Sequence, residues 1–234
     1  MRRDEDLEWL EDVSGERSLA FAKAHNAVTE AQLTGTPGFS TLEEKLFAVM
    51  TAKDRIPTVT QYGKWLYNFW TDADHPRGLL RRTTWAEYRK PTPAWETVLD
   101  VDALGRDEKE SWVYKGMNCL FPKYDRCLVS LSRGGGDAVI VREMDLVKKA
   151  FVADGFTLPE AKSTVSWKDK DTVYVGTNFG PGSLSNAGYP RQVKEWKRGT
   201  PLAQATLLYE VEPTDVAAFG SREFDHGRVH DILY

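Results

Sequence analysis

The sequence predicts a mainly β fold, a partial (incomplete) β-propeller of about three four-stranded blades, preceded by an N-terminal helical segment. Three observations lead there. The first fifty or so residues carry helical periodicity. The rest breaks into short β-branched and aromatic runs separated by Gly, Pro, Asn and Asp. Those runs recur in a fixed order, and the last two copies start roughly 45 residues apart, the spacing of a propeller blade.

The helices come first. Ser14 or a neighbour is placed to cap a helix through "GERSLAFAKAHNAVTEAQL", and Glu16 in its first turn suits the positive end of the helix dipole. In "STLEEKLFAVMTAKD", Thr41 and Glu44 have capping-box spacing, while Leu42, Leu46 and Met50 repeat along one face. The pattern stops before Pro57, because a residue preceding proline is pushed out of the helical region.

The strands follow as "KWLYNFW", "GLLRRTTW", "WETVLD", "RCLVSLS", "DAVIVREMDL", "DTVYVGT", "RQVKEWKRG" and "ATLLYE". A longer linker, "DVDALGRDEKE", stretches the first blade. Between two strands stands "SRGGGD". A phosphate-binding loop would need Lys and Ser/Thr after its last glycine, whereas Gly136 is followed by Asp137 and a β-type run. The third glycine of a dinucleotide fingerprint is also missing. The segment reads as a hairpin turn whose glycines supply positive φ.

Composition sets the broad class. The chain has 234 residues, 41% of them hydrophobic, enough to bury a core in one or two domains. Its formal charge of -4 comes from interspersed acids and bases, so there is no basic stripe for nucleic acid or an anionic membrane. The charged N-terminus and the absence of a long apolar run give neither a signal peptide nor a membrane span, and the default location is cytoplasmic. Cys119 and Cys127 lack a second Cys/His pair, so they read as reduced structural thiols and not as a zinc site.

No catalytic constellation stands out. His226 and His230 have a one-face helical spacing but no metalloprotease glutamate, and they read as part of a solvated tail. His25 falls in the first helix and His75 in a polar turn. In "GPGSLSNAG", neither Ser183 nor Ser185 sits in a G-x-S-x-G elbow. Glu43 and Glu44 belong to a solvated helix face. Catalytic residues and metal ligands are therefore assigned to none, binding residues stay unassigned, and no cofactor is implied.

The motifs in series carry a resemblance. The order "LEWLEDVSGERSLAFAKAHNAVT", "AKDRIP", "WLYNFWTDADHPRGLLRRTTWAEYRKPTPAWETVLDVDAL", "CLVSLSRGGGDAVIVREMDLVKKAFVADGFTLPEAKSTVSW" and "TVYVGTNFGPGSLSNAGYPRQVKEWKRGTPL" resembles the N-terminal region of bacterial prolyl oligopeptidases, from about Leu7 to Val216. The resemblance implies a serine peptidase in which an α/β-hydrolase domain carries a Ser-Asp-His triad. A propeller of about seven blades covers it, so that short proline-containing peptides are cut after proline while folded proteins are excluded. It implies that the initial helices pack on the hydrolase domain. The family's triad and oxyanion hole lie in the hydrolase half and map onto no residue of this chain. Some members place an aromatic residue of the substrate pocket five positions before the blade tryptophan. Here that position is Lys162, before Trp167, and it reads as a solvated lysine.

The expected organisation is a helical arm over 1–54, a partial propeller over 55–218 and a divergent tail over 219–234, where "AFGSREFDHGRVHDILY" departs from the family and suggests a truncated or frame-altered product. The expected partners are the missing α/β-hydrolase domain and short proline-containing peptides, with no nucleic acid and no membrane. Whether the chain is itself an enzyme stays open. It is expected to be inactive alone, and the competing reading is a stand-alone propeller-like binding module without catalytic activity. A ring cut short would leave Val193, Trp196, Leu207 and Leu208 facing solvent or a partner and would favour self-association.

Overall fold

The computed structural model describes residues 4–12, 14–52 and 54–234. It divides into two compact units, Met1–Arg55 and Ile56–Tyr234. In the first, a short 3-10 helix (Asp4–Glu11) precedes α1 (Glu16–Leu33) and α2 (Pro37–Thr51). The Trp9 carbonyl accepts from Ser18 Oγ at 2.7 Å, the Phe21 ring meets the Trp9 ring edge-on at 5.5 Å, and the Arg17 guanidinium lies 3.9 Å over that indole.

One capping expectation falls on the neighbour of Ser14, without a side-chain cap, and a second fails. Gly15 is the residue before α1, and the Ser14 hydroxyl reaches Asp12 instead of a helix N–H. Helix α2 starts four residues before Thr41, because Pro37 fits the first helical position, where a missing N–H costs nothing. Thr41 and Glu44 are thus interior residues. Leu42, Leu46 and Met50 do share a face with Phe39 and Val49, and that face is open: Leu46 is 54% exposed and Met50 69%.

The second unit is all antiparallel sheet with short helical insertions. Sheet I comprises β1 (Thr60–Tyr62), β2 (Trp65–Trp70), β3 (Leu79–Thr84) and β4 (Glu96–Asp100) in sequential order. A single turn, α3 (Trp85–Tyr88), is capped by the Thr84 hydroxyl, and α4 (Val101–Glu108) by the Asp100 carboxylate, which accepts from Ala103 N at 2.8 Å. Sheet II holds β5 (Trp112–Cys119), β6 (Arg126–Arg133) and β7 (Val139–Asp145), with β8 (Ala150–Phe151) and β9 (Thr157–Ala161) both paired to β7. Sheet III runs β10 (Thr164–Asp169), β11 (Thr172–Gly176), β12 (Gln192–Lys197) and β13 (Thr206–Glu210). A hairpin, β14 (Gly220–Asp225) with β15 (Arg228–Leu233), stacks on β10 and β11.

The pleat explains how the sheets stack. Side chains alternate between faces along a strand. In β6, Cys127, Val129 and Leu131 enter the core shared with sheet I, while Leu128 enters the core shared with sheet III. In β11, Val173 and Val175 face sheet II and Tyr174 faces the hairpin. Strands buried on both faces read as nearly continuous apolar runs, which is why β6, β7 and β11 stand out in the sequence. Between β6 and β7, Gly134 (φ 64°) and Gly135 (φ 94°) make the turn, as the glycine run requires.

Three further expectations change. Cys119 and Cys127 are not free thiols: they oppose each other across β5 and β6 and form a disulfide. The pairing register brings them together, and sequence separation alone does not reveal register. Residues 219–234 form an ordered hairpin, with His226 in its turn and His230 opposite Glu223, so the two imidazoles never share a helix face. Val193 and Trp196 are buried, at 1% and 7% exposure, whereas Leu207 and Leu208 are open as expected. Gly220 lets the hairpin press on Val193, since a Cβ there would meet Val193 Cγ1 at 2.7 Å, and Trp196 points at sheet II, away from the open side.

Candidate functional site

The first strands of successive sheets lie side by side, because β10 contacts both β5 and β14. Cross-sheet hydrogen bonds fix this edge. Trp167 Nε1 donates to the Asn118 carbonyl at 3.0 Å, Ser166 Oγ to the Gly220 carbonyl at 2.5 Å, and Arg222 Nη1 to the Lys168 carbonyl at 2.8 Å. Arg222 is itself held by a two-pronged pair with Asp231, at 2.6 and 2.8 Å, which raises the guanidinium pKa and lowers that of the carboxylate.

At one end of the edge, the β5–β6 loop, the β10–β11 turn and β14 enclose a cleft of about 520 Å³. The loop is tightly tied: Leu120 N donates to Arg126 O at 2.9 Å, Tyr124 N to Leu120 O at 2.8 Å, and the disulfide closes its base. It presents a row of rings. Tyr62 lies 5.4 Å from Tyr124, Tyr124 5.8 Å from Phe121, and Phe121 4.4 Å from Phe224 on β14. Burial, followed by the neighbouring Tyr124 and Tyr67 hydroxyls, pushes the Tyr62 phenol up.

At the opposite end of β10 stands Lys162. Its Nζ lies 4.4 Å over the Tyr189 ring, 3.3 Å from the Ala187 carbonyl and 4.0 Å from Asp137, so this lysine bridges loops of sheets II and III and is not simply solvated. Asp137, which follows the glycine turn, belongs to the same cluster through Tyr189 Oη at 3.4 Å.

The remaining polar candidates are occupied structurally. Ser183 Oγ donates to the Gly180 carbonyl at 2.6 Å and accepts from Phe179 N, and Ser185 Oγ donates to the Val216 carbonyl at 2.8 Å. His75 Nδ1 meets Asp72 at 3.0 Å within a tight loop, and His25 stacks on Phe21 at 4.0 Å. None of these contacts links a histidine to a serine hydroxyl. Sequence reasoning missed the ring row because its members come from separated segments, and the aromatic content of "LFPKY" was its one visible signal.

Residues 2–228 match the family model described as the prolyl oligopeptidase N-terminal beta-propeller domain. The chain belongs to the prolyl oligopeptidase family, in its N-terminal propeller region. Among curated proteins, the uncharacterized peptidase y4nA of Sinorhizobium fredii is 40% identical over 230 residues, covering 97% of this chain and 32% of the relative. The uncharacterized peptidase RP174 of Rickettsia prowazekii is 31% identical over 218 residues, with coverage of 88% and 30%. A solved post-proline cleaving enzyme from Rickettsia typhi superposes with a TM-score of 0.86 and 29% identity over 94% of this chain and 33% of that one. The chain spans about a third of the length of these relatives. For this prolyl oligopeptidase propeller region, sheets I to III are stacked blades. Among the described residues, no helix is long and apolar enough to cross a membrane, and no His, Cys, Asp and Glu residues cluster as a metal site.

Proposed function

We propose that this chain is the substrate-gating propeller portion of a serine endopeptidase that cleaves short peptides after proline, and that by itself it is inactive. The observation that carries this reading is the superposition, at a TM-score of 0.86, on an enzyme described as post-proline cleaving. The helical arm supports it. The open stripe of Phe39, Leu42, Leu46, Val49 and Met50 is a face that an α/β-hydrolase domain with a Ser-Asp-His triad would cover. In this reading, residues 1–54 are that arm, residues from 55 onward build the propeller, and the protein works in the cytoplasm. There Cys119 and Cys127 would exchange with the thiol pool.

Acyl transfer needs an activated nucleophile and prepared oxyanion donors. The chain alone should leave a chromogenic Gly-Pro peptide uncut. Turnover that survives repurification and is blocked by a serine-directed phosphonate overturns the proposal. A second reading, a self-sufficient binding module, draws on the buried Val193 and Trp196, which lie in β12 and pack into the cores on its two sides, although β13 stays open. A monodisperse monomer that melts cooperatively and does not associate with a hydrolase domain favours that reading.

A further inference from the structure

We propose that a cavity in the seam between sheets I and II binds a small uncharged aromatic compound of the phenol class, one flat ring carrying a hydrogen-bonding group. The cavity measures about 270 Å³ and is walled by β1, β2 and β3 on one side and by β5 on the other. The first argument is its shape. The Phe69 and Tyr114 rings stack across the seam at 4.6 Å and 18°, and the Tyr62 ring meets the Tyr67 ring edge-on at 5.6 Å, so two sides are aromatic. Leu80 and Met117 add apolar surface, and the Met117 thioether suits the edge of a ring. A bulge interrupts β5 between Tyr114 and Gly116, and Gly116, at φ 119°, leaves room beside it, since a Cβ there would meet no atom within 4 Å. An apolar cavity of ~150 Å³ takes up benzene, so this one accommodates a ring with a substituent.

The second argument is polarity. None of the lining residues carries a formal charge, so a charged ligand would give up its hydration without meeting a counter-ion. Hydrogen-bonding capacity is nevertheless left over. Asn68 is committed at both ends, donating to the Thr58 carbonyl at 2.8 Å and accepting from Arg81 Nε at 2.8 Å, and the Tyr67 hydroxyl accepts from Arg82 Nη1 at 3.4 Å. The Tyr62 and Tyr114 hydroxyls have no hydrogen-bond partner among the described residues. Every fully buried side-chain N or O among those residues is partnered, so both hydroxyls reach open volume. Burial raises both phenols, for Tyr114 ahead of the neighbouring Tyr62 and for Tyr62 ahead of Tyr124 and Tyr67, so both are O–H groups at neutral pH. Aromatic walls, an uncharged lining and two free hydroxyls together fit a flat ring bearing one hydroxyl.

The test is fluorine NMR with the full chain and 4-fluorophenol as reporter, followed by displacement. Saturable binding with a Kd at or below about 1 mM is expected, and 4-methylphenol should displace the reporter. Benzoate, a ring with a charge, and cyclohexanol, a hydroxyl without a flat ring, should each bind about tenfold more weakly. The phenol ring has two sources, a free compound or a tyrosine side chain, and N-acetyltyrosinamide separates them: tighter binding than 4-methylphenol marks a chain-borne ring, weaker binding a free one. Tyr62→Phe and Tyr114→Phe keep the rings and remove the hydroxyls, and each should weaken binding about three- to tenfold. Thr60→Trp, at an exposed position of the edge strand β1 that lines the cavity, should abolish it. Leu208→Ala, on an exposed strand elsewhere, should bind as the parent does. Far-UV circular dichroism confirms that each variant folds, and Thr60→Trp, a surface change, keeps the test decisive if a tyrosine variant does not. No displaceable binding at millimolar reporter, equal binding of benzoate or cyclohexanol, or parent-like binding by all three cavity variants overturns the inference. The readout needs neither catalysis nor a hydrolase domain, so this inference and the peptidase reading fail separately.

Discussion

Arg198→Ala tests whether the seam between sheets II and III is held as described. Arg198 Nη1 and Nη2 reach the Glu143 carboxylate at 2.8 and 3.2 Å, and Phe156 N donates to the same carboxylate at 3.0 Å. Glu143 has only 2% of its side chain exposed, and the guanidinium stacks 4.6 Å over the Phe156 ring. Without Arg198, a buried carboxylate keeps one N–H donor. Breaking a buried pair from one side costs about 3–5 kcal/mol. Arg198 is 28% exposed, so water can enter the vacated space and the low end, about 3 kcal/mol, applies. That is about a hundredfold loss in the folding constant, or a melting temperature lower by ~6–12 °C for a domain of this size. Replacing both partners, as Glu143→Met with Arg198→Met, removes the stranded charge and should recover most of the loss. Urea unfolding followed by tryptophan fluorescence is the assay, since Trp167 and Trp196 line this seam. An Arg198→Ala midpoint equal to the parent's, with an unchanged slope, would refute the reasoning, as would additivity of the two single changes.

Other outcomes follow from the same geometry. Arg82, then Lys149, holds the Glu96 carboxyl down at about 2 from 4.5, so its stabilisation is complete above pH ~4.5 and fades as pH falls toward 2. Glu96→Gln should flatten the acid limb of stability measured by urea melts, with less than ~1 kcal/mol change at pH 7, because Glu96 is 40% exposed. Trp167→Phe leaves the Asn118 carbonyl without its indole donor and should cost about 1–2 kcal/mol by the same melts. Gly135→Ala puts a side chain at φ 94° and should cost about 1–2 kcal/mol, with the far-UV spectrum unchanged. Leu46→Glu alters an open face, so the chain should melt as the parent does yet fail to associate with a hydrolase domain.

What was legible follows from which forces are local. Strands β6 and β11 announce themselves because both faces are buried, giving the apolar runs Cys127 to Val129 and Val173 to Val175. Strand β5 hides behind Gly116 at a bulge, and β9 behind Pro159, which a sheet edge tolerates. Helix α4 reads as a linker in the sequence although Asp100 supplies a cap, because its eight residues are mostly polar. The disulfide required register, and the cleft required three loops far apart in sequence. Neither is written in a local pattern. The hairpin of β14 and β15 was obscured by its charged residues, and it is their exposed outer face that makes them charged.

The measurement that bears most directly on the central claim is reconstitution. The 234-residue chain would be mixed with the hydrolase portion of the Sinorhizobium fredii relative and assayed on a chromogenic Gly-Pro peptide, alongside each part alone. The account predicts no turnover from the chain alone, a stable complex on sedimentation, and phosphonate-sensitive cleavage after proline that discriminates against folded protein only when the chain is present. Serine-directed turnover by the chain alone, or a hydrolase portion whose selectivity and sedimentation ignore the chain, would contradict it.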